Sequence, residues 1–169
     1  MGRKRDLDIT YIVDSREQRP YFVDNSNLQV KVRKLVHADY SIQGLERLVS
    51  VERKNKSDLI QSLTRSRKRF EAELLSLRAY RYKCVVCECS YDEIAKGMYQ
   101  NDVSPKALVG SIARWQTEGV TFQFCGNRDN AENFTKMFLD FVARNIAQYA
   151  QAYAPSLAVA QARGGVDAN

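Results

Sequence analysis

Val51-Glu52-Arg53-Lys54-Asn55-Lys56-Ser57-Asp58 is the stretch of this 169-residue chain that decides its fold. The residues leading into it, Arg47 to Glu52, alternate polar and apolar, the period-two signature of a strand with one covered face. In such a strand Glu52 and Lys54 project to the same side, ~7 Å apart along it. A carboxylate and an ammonium then share one face at a strand end. Working outward, Tyr40 to Ile42 reads as the partner arm of a hairpin turning near Gln43-Gly44. Asp39, in His37-Ala38-Asp39-Tyr40, opens that arm and would stand beside Glu52. Asp8 to Asp14 reads as a first core strand, and Asp14 and Glu17 frame its end in Val13-Asp14-Ser15-Arg16-Glu17. Between them, Gln18 to Asn27 has the Pro20 and Asp-Asn-Ser-Asn composition of a loop, and Gln29 to Val36 alternates like a half-exposed strand.

Beyond the stretch the period changes. Leu59, Leu63, Phe70, Leu74 and Leu77 recur at spacings of three, four and seven, which predicts one long helix over 57–80. Arg65, Lys68 and Arg69 occupy its other face. Cys84 to Cys89 reads as a buried strand. Ser90 with Glu93 three residues on is a capping box for a short helix. Ser104-Pro105 opens a helix bearing Leu108, Ile112 and Trp115, Gly119 closes it, and Val120 to Phe124 is another strand. Asp129 with Glu132 caps a last helix through Phe134, Phe138, Phe141 and Ile146. Strands first, then alternating helix and strand, predict an α/β domain with a mixed central sheet flanked by helices on both faces. Residues 1–7 read as a basic N-terminal extension, 8–150 as the domain, and 151–169 as a flexible C-terminal tail.

Composition narrows the function. The net charge is +6, which suits a polyanionic partner whose counterions are released on binding. The charge is concentrated: Arg53, Lys54, Lys56, Arg65, Arg67, Lys68 and Arg69 face only Asp58 in their own stretch. Lys56, Arg65, Arg67, Lys68 and Arg69 are the candidate DNA-contacting cations. No apolar run reaches the roughly 18 residues of a membrane span. No apolar segment follows the basic N-terminus, so secretion is not expected. The expected location is intracellular: the cytoplasm of a bacterium or archaeon, a virus-infected cell, or a nucleus. Cys84, Cys87 and Cys89 mimic a zinc spacing, yet a strand turns Cys84 away from the other two and a tetrahedral site needs four converging ligands. They read as buried, reduced thiols.

Carboxylates and one lysine gathered at strand ends suit phosphodiester hydrolysis. Magnesium is a hard ion that takes oxygen ligands, commonly one or two carboxylates with waters and a substrate phosphate. The bound ion lowers the pKa of water, and a lysine can orient that water or balance transition-state charge. Manganese accepts the same carboxylate-rich set and is expected to substitute.

Asp14-Ser15-Arg16-Glu17, then Ala38-Asp39, then Glu52-Arg53-Lys54 followed at the right interval by Asp58 resembles the signature of XPF-type structure-specific nucleases. The family pattern is D-x-R-E, then GD, then E-R-K with a later Asp. The resemblance covers residues 8 to 145 and departs at Ala38, where the family carries glycine. It implies a restriction-endonuclease-like core and metal-dependent cleavage of DNA at forks, flaps or other branched structures in repair, recombination or replication. Carried over by position, Asp39 and Glu52 are implied metal ligands, with Asp14 and Glu17 completing the shell and Lys54 the catalytic lysine. Asp14, Arg16, Glu17, Arg53 and Asp58 match the remaining functional positions. The resemblance further implies a homodimer, with the helices from Ser104 onward as candidate surface. A helicase or helix-hairpin-helix module, which family members carry, is expected from a partner. Two other classes remain open: a catalytically idle DNA-binding scaffold, and a restriction-type enzyme cutting intact duplex.

Overall fold

A computed structural model describes residues 7–23, 25–100 and 102–164, with side chains as far as Ala154. The basic extension predicted for residues 1–7 lies, apart from Leu7, outside the described residues. Six strands form one sheet: β1 (Thr10–Asp14), β2 (Gln29–Arg33), β3 (Tyr40–Ile42), β4 (Val49–Lys54), β5 (Tyr82–Cys87) and β6 (Thr121–Phe124). Their spatial order is β2-β1-β3-β4-β5-β6. β1 runs parallel to β2 but antiparallel to β3, β3 is antiparallel to β4, and β4, β5 and β6 are mutually parallel neighbours. The sheet is therefore mixed. β2 lies at its edge with its residues largely exposed, which is why its sequence alternates with basic residues.

The two faces are covered differently. α1 (Lys56–Leu63), α2 (Arg67–Leu77), α3 (Tyr91–Ala95) and α4 (Pro105–Thr117) supply Leu59, Phe70, Leu74, Ile94, Leu108, Ile112 and Trp115 to a core with Val85, Cys87 and Phe122. α5 (Arg128–Gly164) covers the opposite face with Ala131, Leu139 and Val142, against Tyr11, Val13, Tyr40, Val49, Val51, Cys84 and Val86. Odd and even residues of β4 and β5 thus enter different cores, as period two demands. Cys84 and Cys87 fall on opposite faces for that reason, and burial pushes the Cys84 thiol up to about 12. The α/β fold with a mixed sheet and helices on both faces stands as expected.

Two elements differ from the sequence expectation. The single helix over 57–80 is two. Ser66 N–H donates to Gln61 O and the Thr64 hydroxyl donates to Ile60 O, so side-chain and five-residue bonds replace the helical ladder at 64–66. The apolar spacing survives because α2 restarts in a phase that still buries Phe70, Leu74 and Leu77. The last helix does not stop near Ile146: the backbone of 151–164 continues α5, where a flexible tail was expected. Five alanines between 151 and 164 favour helix without any apolar stripe to reveal it.

Candidate active site

The C-terminal end of β4 carries the site, and three strand ends are tied together there. Asp14 N–H donates to Asp39 O at 2.8 Å, and Asp39 N–H donates to Val51 O at 3.0 Å. Asp39 Oδ2 accepts from Arg53 N–H at 2.7 Å. These bonds fix Asp39 beside Glu52, on the α2 side of β4. Glu52 Oε1 accepts from Lys54 Nζ at 2.5 Å, and that ammonium lies 5.1 Å from the Phe70 ring centroid. Glu52 and Lys54 therefore share a face, as their spacing predicts.

Electrostatics suit the two carboxylates of this trio to a cation. Burial, and then the charge of Glu52, hold the Asp39 carboxyl well above the usual range. Burial also raises Glu52, with the Lys54 ammonium only partly offsetting it. Lys54 is raised: burial works against its charge, but Glu52 outweighs burial. Two neighbouring carboxylates that resist ionising together accept a divalent cation readily, because its charge removes both penalties. The donor set, two half-buried carboxylates with an open cleft beside them, fits magnesium, which retains several waters. Among the described residues no three His, Cys, Asp or Glu side chains form a ready-made cage.

A cleft of about 510 Å³ opens over the trio, lined by Arg16, Glu17, Arg19, Asp39, Glu52, Arg53, Lys54, Asn55, Asp58, Gln61 and Arg69, among others. It gathers seven of the eight catalytic candidates. Asn55 caps α1: its Oδ1 accepts from Asp58 N–H, and its Nδ2 donates to Asp58 Oδ2 at 2.6 Å.

Asp14 is the exception: it does not line this cleft, and both of its oxygens are engaged. Oδ1 accepts from Arg16 N–H and Nε, while Oδ2 accepts from Arg16 Nη2 and Leu35 N–H, all at 2.6 to 2.9 Å. Its burial would raise the carboxyl, but the Arg16 guanidinium and these bonds hold it below the usual range. With both oxygens occupied, Asp14 is a clamp that fixes Arg16 and the strand end. Of the basic run, only Arg69 reaches the cleft; Arg67 pairs with Glu71, and Lys56 is turned to Glu93. Arg65 and Lys68 are exposed but line no part of it. The break at 64–66 rotates α2 away from the axis on which those cations would have aligned.

Arg53 points to the other face of β4, and there the sequence missed a residue. Glu88 Oε1 accepts from Arg53 Nε at 2.7 Å, from the Tyr21 hydroxyl at 2.9 Å and from Arg128 Nη1 at 3.3 Å. Both guanidinium groups lie over the Tyr21 ring, at 5.5 and 4.9 Å from its centroid. Arg53 Nη1 also donates to Glu17 Oε1 at 3.2 Å. The available signal was a lone carboxylate inside Cys87-Glu88-Cys89, an otherwise apolar strand.

The ERCC4 domain family matches residues 13–138, most of the chain and every residue of this site. The chain belongs to that family. The XPF-type resemblance is thereby borne out. Among solved structures the chain is similar to XPF from Aeropyrum pernix, at 19% identity and a TM-score of 0.64, covering 88% of this chain and 72% of that one. It is also similar to the same protein in complex with DNA, at 19% identity and a TM-score of 0.61, covering 81% of this chain and 66% of that one. These likenesses establish the restriction-endonuclease-like fold. No curated protein matches the chain in sequence.

Proposed function

We propose that this ERCC4-family chain is a metal-dependent DNA endonuclease acting at branched DNA. The observation that carries the reading is the juxtaposition of Asp39, Glu52 and Lys54 at the end of β4, beside an open cleft edged by Arg16, Arg19 and Arg69. The similarity to a protein solved with DNA supports the substrate class.

In this reading Asp39 and Glu52 hold magnesium, with manganese as a substitute, and the Arg53 carbonyl is a further candidate ligand. The bound ion supplies Lewis acidity and a water of lowered pKa. Lys54, whose Nζ donates to Glu52 Oε1 at 2.5 Å, would orient the attacking water and balance charge on the phosphate. Arg16 and Arg69 hold the flanking phosphates. Glu17 keeps Arg53 in place rather than entering the metal shell. In-line attack leaves a 5′-phosphate and a 3′-hydroxyl. The working form is a homodimer, supported by Met137, Phe141, Tyr149 and Tyr153, which stand exposed at multiples of four residues along α5; such a stripe suits a second apolar face. A helicase or helix-hairpin-helix partner would add substrate choice.

The test is cleavage of end-labelled fork, 3′-flap, bubble and linear duplex DNA with magnesium, manganese or EDTA, beside Asp39→Ala. The expected result is metal-dependent cutting of the branched substrates, reduced on the order of a thousandfold in the variant. Equal cutting of linear duplex would favour a restriction-type enzyme. Binding without cutting in every metal would favour a scaffold.

A further inference from the structure

Of the five cationic residues that line the cleft, four already answer to a carboxylate. Arg16 pairs with Asp14, Arg53 with Glu17 and Glu88, Lys54 with Glu52, and Arg69 with Glu73. Arg19 is exposed and has no ion-pair partner among the described residues. Its side chain is free, yet its backbone is not. Arg19 N–H donates to Glu17 Oε1 at 2.7 Å, while Arg19 O and Pro20 O accept from Arg128 Nη1 and Nη2 at 3.1 and 2.8 Å. Tyr21 N–H donates to the Tyr40 hydroxyl at 2.9 Å, and Phe22 N–H to Glu132 Oε1 at 2.7 Å. Pro20 has no N–H, so every backbone donor from 19 to 22 is met by a side chain, where an ordinary surface loop turns to water. Phe22 is also held at φ 73°, its ring buried beside Tyr11 and Tyr40. A bulky L-residue keeps that conformation only where its surroundings over-determine it.

A strained backbone, gripped from α5 and β3 and carrying one uncompensated cation to the cleft, suits the presentation of that charge to an anion. A loop ordered only on binding weakens the contact it makes, and one ordered beforehand removes that cost. A guanidinium meets a phosphate through two parallel N–H bonds, a geometry that rewards a fixed approach. We propose that Arg19 contacts a phosphate of the DNA bound in the cleft, and that Glu132, in the first turns of α5, is a positioning residue acting on Arg19 through Phe22. The proposal rests on the DNA-cleaving reading and adds to it two residues outside the Asp14–Glu17, Asp39 and Glu52–Asp58 positions. Arg16 and Arg69 bring charge that Asp14 and Glu73 already offset in part; the charge of Arg19 is whole. Arg128 grips the same loop, but it also holds Glu88, so Glu132 is the cleaner probe.

The experiment measures binding of fluorescein-labelled fork DNA in EDTA, by anisotropy over a range of salt, for the full chain and for Arg19→Ala, Arg19→Lys, Glu132→Ala and the Arg19→Ala/Glu132→Ala double variant. Arg19→Ala is expected to bind on the order of fivefold to tenfold more weakly near 0.1 M salt, with the slope of log-affinity against log-salt shallower by about 0.9, one duplex phosphate. Its melting temperature is expected to stay unchanged, and Arg19→Lys, which keeps the charge, to keep the slope. Glu132→Ala is expected to make the slope shallower as well, and the double variant to be no shallower than Arg19→Ala alone, because the two residues act on one contact. A full slope in Arg19→Ala would overturn the proposal and leave Arg19 a solvated surface residue. A Glu132→Ala chain that melts lower with its slope intact, or a double variant whose losses add, would overturn the positioning role. Metal-dependent cleavage by the unaltered chain is scored separately: absent cutting with Arg19-dependent binding intact strikes the nuclease reading and leaves the phosphate contact standing.

Discussion

Ala38 is held at φ 59°, a left-handed conformation in which an L-residue's Cβ crowds the backbone at a cost of roughly 1–2 kcal/mol. The turn cannot relax, because Asp39 must present its N–H to Val51 O and its carbonyl to Asp14 N–H at once. The strain sits next to the metal-binding carboxylate, where XPF-type sequences carry glycine. Ala38→Gly is therefore expected to stabilise the chain by about 1 kcal/mol, read as a higher urea midpoint with an unchanged slope, although glycine adds freedom to the unfolded chain. A lower midpoint would mean that the alanine methyl's packing outweighs the strain. The neighbouring carboxylates show the same economy of position. Asp14 spends both oxygens on structure and Asp39 spends only one, which is why two residues of one type at adjacent strand ends have different roles.

At the scale of elements, Glu88 joins what the sequence keeps apart. Through Arg53, Tyr21 and Arg128 it links β5 to β4, to the loop after β1 and to the start of α5. Burial would raise its carboxyl, but Arg53 and the Tyr21 hydroxyl hold it below the usual range. Glu88→Gln leaves two guanidinium groups facing a neutral amide in a covered site, and the expected loss is about 2–4 kcal/mol of stability. Arg53 N–H orients Asp39, so metal-dependent cleavage is expected to fall as well, with DNA affinity in EDTA held near the unaltered value. Full activity in a destabilised variant would show that Glu88 serves only packing. Of the cations on α1 and α2, Arg69 alone lines the cleft.

For the whole molecule, the carboxylates divide into two sets with opposite pH dependence. Asp14 and Glu88 lie below their ordinary values when folded. Their contribution is present above the unfolded value of ~4 and is lost as pH falls through the folded ones. Asp39 and Glu52 lie above theirs, so the folded chain binds the extra protons and stability declines as pH rises through the folded values. In EDTA the melting temperature is expected to peak in the mildly acidic range, and Asp39→Asn to flatten the decline toward neutral pH. A decline of the same steepness in the variant would remove this account. In the proposed reading magnesium would supply the charge that the protons otherwise bring. At 100 times its dissociation constant it would then stabilise by about 2.7 kcal/mol, or roughly 5–10 °C for a chain of this size. Asp39→Asn is expected to remove most of that shift in a thermal melt.

The sequence by itself determined the strands, the two-sided sheet and the Glu52–Lys54 face, because each follows from a local period that burial enforces residue by residue. It also placed Asp39 at the same sheet end, since a short hairpin leaves little freedom in register. Only the tertiary structure decided the rest. Asp14 and Asp39 look alike until the partners of their oxygens are known. Glu88 gains meaning from Tyr21 and Arg128, which lie 67 and 40 residues away along the chain. The break in the long helix came from two hydroxyl-bearing residues whose bonds left the apolar spacing intact. Periodicity records which side of an element is covered; which groups meet across elements is settled by packing.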